Sequence, residues 1–78
     1  MDIREVFARN LRKYRQAQGL SQESLAHEAG VDRTYISALE RSQYSASITM
    51  VDKLARILGV EAVDLLQRPA RASRATKG

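Results

Sequence analysis

The chain has 78 residues, no cysteine and one histidine, so one domain is expected, without disulfides, thiolate metal sites or a histidine relay. A chain this short buries only about 60% of its unfolded surface, and no apolar run approaches the roughly 20 residues that cross a bilayer. Thirteen Lys and Arg against nine Asp and Glu give a net charge of +4, but Arg68, Arg71, Arg74 and Lys77 fall in the last 11 residues, which hold no acid. Residues 1–67 are therefore formally neutral. A field from that part must come from segregation of charge, with Arg4, Arg9, Arg12, Lys13 and Arg15 crowded at one end and Asp52, Glu61 and Asp64 toward the other. The N-terminus, Met1-Asp2-Ile3-Arg4-Glu5, lacks the pattern of a cleaved signal peptide, so a cytoplasmic location is expected.

In chain order, Ile3, Val6, Phe7, Leu11 and Tyr14 recur at helical spacing and predict an amphipathic helix over 2–18, ended by Gly19. Ser21 is a good N-cap for a second helix, 22–29, with Leu25 and Ala26 inward and Gly30 as its stop. Val31 fills the turn, and Asp32 is expected to cap a third helix, 33–41, with Ile36 and Leu39 inward. After a polar loop, 42–46, Ser47 caps a fourth helix in which Ile48, Val51, Leu54, Ala55 and Leu58 form the stripe and Gly59 the end. Residues 61–67 suffice for a short fifth helix. The domain is expected to span 1–67, and the basic stretch 68–78, which lacks large apolar residues, to be a disordered tail. No strand-like alternation occurs, so the fold class is all-α.

The informative segment runs from Ser21 to Arg41. Two short helices meet at a tight turn holding Gly30, with the small Ala26 where they must approach. That is the layout of a helix-turn-helix, whose second helix enters the major groove of DNA. At about 100° per residue, the face opposite Ile36 and Leu39 carries Arg33, Thr34, Ser37, Ala38 and Arg41. Arginine suits the two acceptors of guanine, serine and threonine serve several bases, and the methyl of Ala38 or Thr34 suits that of thymine. Arg33, Thr34, Ser37 and Ala38 are thus the candidates for base contact. Gln22 begins the second helix, where free N–H groups favour a phosphate, and Tyr35, Arg41 and Gln43 complete the expected phosphate set. For Tyr35, packing is an equal reading.

The tract Gly19-Leu20-Ser21-Gln22-Glu23, then Leu25-Ala26, Gly30-Val31, Tyr35-Ile36-Ser37 and Leu39-Glu40-Arg41, resembles the Cro/phage-repressor (xenobiotic-response-element) helix-turn-helix family. Leu54-Ala55, Leu58-Gly59-Val60 and Leu65-Leu66 are similar to that family's last two helices, and the likeness covers residues 3–67. Asp32-Arg33-Thr34-Tyr35-Ile36-Ser37 is similar to controller proteins of restriction–modification systems. The resemblance implies a five-helix lambda-repressor-like domain, a phosphate role for Gln22, base contacts from Arg33, Thr34 and Ser37, and a partly buried salt bridge between Arg15 and Glu40. It also implies a homodimer through the fifth helix, where Ala62, Val63 and Leu66 share a face. Two places depart from the family. Ser42 stands where glycine often follows Glu-Arg, and Ala46 where proline often precedes the fourth helix, which predicts a different loop path.

The expected function is a sequence-specific transcriptional regulator, a repressor or controller, bound as a homodimer to a palindromic operator on double-stranded DNA. An antitoxin repressing its own operon is one alternative, and a protein-interaction or coactivator module that reads no bases is another. An enzyme is the weakest reading, since the sequence has no cysteine nucleophile, metal cluster or glycine-rich phosphate loop. No cofactor, membrane partner or small-molecule effector is expected.

Overall fold

The computed structural model describes residues 1–69, which form five α-helices and no strand: α1 (Ile3–Ala17), α2 (Gln22–Ala29), α3 (Arg33–Glu40), α4 (Ile48–Leu58) and α5 (Ala62–Leu66). The expected tail lies, from residue 70 onward, outside the described residues.

Local chemistry accounts for the helix starts. Ser21 Oγ accepts from Ser24 N–H, and Ser47 Oγ accepts from Met50 N–H. Each satisfies one of the donors that a helix start leaves free. Asp2 and Glu5 form a reciprocal capping box on α1. The Arg4 N–H bonded to Asp2, with the Arg4 guanidinium beside it, holds that carboxyl below the ordinary carboxylate range. Asp32 departs from expectation. Its backbone is extended, as a cap requires, but its side chain accepts no bond from α3.

The ends of α1 to α4 share one device. After α2, Gly30 takes φ +73°, and the next N–H, of Val31, reaches back to Ala26 O at 3.0 Å. That wrap needs a left-handed residue, which glycine adopts without a Cβ penalty. The ends of α1 and α4 close the same way, with Leu20 N–H on Arg15 O and Val60 N–H on Ala55 O. After α3 the left-handed residue is Ser42, at φ +62°, with Gln43 N–H on Ala38 O at 2.9 Å. At Ser42, serine takes the conformation for which glycine is the easier residue.

Apolar residues from all five helices meet in one core. Phe7 and Leu11 of α1, Leu25 of α2, Ile36 and Leu39 of α3, Leu54 and Leu58 of α4 and Leu65 of α5 are buried together. Polar side chains of α1 and of its C-cap residue, Gln18, close the ends of α3, α4 and α5. Asn10 Nδ2 donates to Leu65 O and Gln67 O at the end of α5 (3.0 and 2.8 Å), Arg12 Nη2 to Glu40 O at the end of α3 (3.0 Å), and Gln18 Nε2 to Leu58 O at the end of α4 (3.1 Å). These are the carbonyls that a helix cannot satisfy internally. Ile48 departs from its expected inward position and is 90% exposed.

Candidate nucleic-acid interface

The α2–turn–α3 pair is fixed from the core side. Leu25, Ala26 and Ala29 bury one face of α2, and Ile36 and Leu39 bury one face of α3. Alanine at 26 and 29 lets the two helices approach closely. Val31 sits half-buried in the turn.

What this leaves outward is the free face of α3. Arg33 and Thr34, at its N-terminal end, are exposed, and Ser37 is half-buried one turn on. Ala38 is corrected: only 5% of it is exposed, so its methyl is withdrawn from base contact. The Ala38 carbonyl, for its part, accepts from Gln43 N–H in the turn that follows α3. Thr34 remains exposed. Tyr35 is half-buried, its ring 6.2 Å from that of Tyr44 and tilted by 33°, so packing and an outward hydroxyl are compatible. Arg41 and Gln43 are exposed and joined, Arg41 Nη2 donating to Gln43 Oε1 at 3.2 Å.

Behind this face lies a buried carboxylate. Glu40 is 3% exposed and receives Arg15 in a two-point grip, Nε to Oε2 at 2.6 Å and Nη2 to Oε1 at 3.0 Å. Arg15 Nη1 also donates to Leu20 O at 2.7 Å, so one guanidinium ties α1, the α1–α2 turn and α3. Two further groups reach the same place, and spacing alone pointed to neither. Gln22 Nε2 donates to Glu40 Oε1 at 3.0 Å, and Arg12 Nε lies 3.9 Å from that oxygen. Gln22 thus has one amide hydrogen turned inward and one left for an outside acceptor.

On another side of the molecule, Val63 and Leu66 of α5 are exposed, and Ala62 is half-buried. Ile48 joins them, lining a shallow hollow with Val51, Ala62 and Leu66. Among the described residues no His, Cys, Asp or Glu group is placed to hold a metal, and no helix is long and apolar enough to cross a membrane.

Five short helices around an α2–turn–α3 pair with a free polar face define a helix-turn-helix protein. The family model described as Helix-turn-helix matches residues 11–65, and the chain belongs to that family, in its Cro/repressor type. Over 68 residues it is 46% identical to a hypothetical transcription factor of Neisseria meningitidis, covering 87% of this chain and 64% of that protein, so it spans just under two thirds of that relative. The crystal structure of the Neisseria factor superimposes with a TM-score of 0.84, over 87% of this chain and 78% of the other. Control protein C.SmaI of Serratia marcescens is 41% identical over 68 residues, 87% of this chain and 81% of its own. The restriction-modification controller protein C.AhdI of Aeromonas hydrophila superimposes with a TM-score of 0.76 at 42% identity, over 80% of this chain and 90% of its own. These relatives carry the names of transcription and control proteins, in keeping with a chain that is not an enzyme.

Proposed function

We propose that this protein is a sequence-specific transcriptional regulator, of repressor or controller type, that binds a palindromic operator in double-stranded DNA as a homodimer in the cytoplasm. One observation carries the reading: Arg33 and Thr34 stand exposed at the N-terminal end of a helix whose C-terminal end is locked to α1 by the buried Arg15–Glu40 pair. A rigid helix presenting guanidinium and hydroxyl groups suits the donor and acceptor pattern of the major groove. Arg33, Thr34 and Ser37 contact base edges. Gln22, Tyr35, Arg41 and Gln43 contact phosphates and set the register. The controller proteins among the relatives support the controller-type reading.

The homodimer is supported by the exposed apolar group on α4 and α5. Val63, Leu66 and Ile48 are large apolar side chains in water, and Ile48, Ala62 and Leu66 line one hollow. A two-fold contact there covers them and sets two recognition helices about 34 Å apart, one turn of duplex. Selection of bound sequences from random duplexes tests the reading. One enriched motif with two-fold symmetry and half-sites about 10 base pairs apart is expected; no enrichment over the input pool overturns it. Sedimentation showing only monomer at tens of micromolar, with and without the selected duplex, overturns the dimer.

A further inference from the structure

The Glu40 cluster carries more positive charge than it needs. One carboxylate meets two guanidinium groups. Arg15 takes both carboxylate oxygens and the Leu20 carbonyl, and its side chain is only 12% exposed, so its charge is spent inside. Arg12 lies outside that grip. Its Nη2 is anchored on the Glu40 backbone carbonyl, its Nε stands 3.9 Å from Oε1, and its side chain is 52% exposed. The excess charge is therefore held at the surface, on Arg12. Gln22, from α2, donates to the same Oε1. Among the described residues both side chains keep unused N–H groups, Nη1 on Arg12 and one hydrogen on Gln22 Nε2.

We propose that Arg12 and Gln22 form a prebuilt clamp for one backbone phosphate of duplex DNA, with Glu40 as the positioning residue that fixes both donors. The proposal rests on the DNA-binding reading above and adds Arg12 to it. A surface arginine usually loses rotamer freedom when it grips a ligand; here that freedom is already given up in the free protein. A guanidinium and an amide from two helices match the two non-bridging oxygens of a backbone phosphodiester better than one mobile cation does. The buried carboxylate does not repel the phosphate, because Arg15 neutralises it. Such a contact is blind to sequence.

The test uses the full chain with random-sequence duplex DNA, affinity being followed by fluorescence anisotropy against potassium chloride. Arg12→Gln keeps an N–H for the Glu40 carbonyl and removes the charge; Arg12→Lys keeps the charge without the two-point hold. The slope of log affinity on log salt should flatten by about 0.9 per bound copy in Arg12→Gln and stay at the wild-type value in Arg12→Lys. Folded Arg12→Gln with the wild-type slope shows that Arg12 only closes the end of α3, and overturns the clamp. If Arg12→Gln does not fold, Arg12→Lys decides: affinity several-fold weaker at unchanged slope is expected, and wild-type affinity overturns the clamp. A wild-type chain that binds no duplex at low salt removes the DNA-binding reading itself and the clamp with it, an outcome distinct from loss of the clamp alone.

Discussion

Glu40 shows how much one residue can hold. Its carboxylate joins α1 to α3 through Arg15 and α2 to α3 through Gln22. Replacing it with alanine leaves Arg15 inside without a counter-charge, so Glu40→Ala should destabilise the domain by about 3–5 kcal/mol in urea titration. A loss below about 1 kcal/mol would mean that the pair is solvated in solution. Ser42 makes the opposite case. It holds a left-handed backbone at φ +62°, which costs a side-chain-bearing residue about 1–2 kcal/mol, partly offset by the extra freedom glycine loses on folding. Ser42→Gly should therefore gain about 0.5–1 kcal/mol and raise the melting midpoint by about 2–8 °C. An unchanged or lowered midpoint contradicts that account.

Individual residues also mark where the sequence was opaque. Arg33 and Thr34 were legible as an exposed pair because Ile36 and Leu39 fix the buried side. Ala38 was not: the helical angle sets it on the outer face, yet only 5% of it is exposed. Asn10 was silent for another reason: apolar spacing carries no signal for a polar side chain, and its partners are carbonyls 55 and 57 residues away.

At the scale of elements, α1 organises the fold. Its apolar stripe packs on the core, and Asn10, Arg12 and Gln18 finish the ends of α5, α3 and α4. α5 has five residues, too few to be helical alone, so it depends on Leu65 in the core and on Asn10 at its end. Asn10→Ala should leave two carbonyls without a donor and cost about 1–3 kcal/mol. Hydrogen exchange should quicken in Ala62–Leu66 first. Uniform quickening over all five helices would contradict this hub role. The five helices and their order were readable because caps and stops punctuate the chain: Ser21, Ser47, Gly30 and Gly59 each sit where a helix starts or ends. Ile48 misled because it lies at the edge of the α4 stripe on the first turn, where nothing in the described chain covers it.

For the whole molecule, the proposed function rests on placed groups and a second copy. Residues 1–67 are neutral, so affinity in this account comes from few contacts, doubled by symmetry, not from a broad basic field. Val63 is 61% exposed in the single chain, so a change there should alter its folding stability by less than about 0.5 kcal/mol. In a dimer the same position is closed, and Val63→Asp should weaken association on the order of a hundredfold by sedimentation. An unchanged dimer would place the two-fold contact elsewhere.

The central claim is that α3 reads bases through Arg33, and affinity of Arg33→Ala for two duplexes tests it directly. Measured at one salt concentration, the variant should lose about 1–3 kcal/mol on the selected operator and almost nothing on random-sequence DNA. Equal losses on both duplexes would make Arg33 a phosphate contact and contradict base reading by this helix.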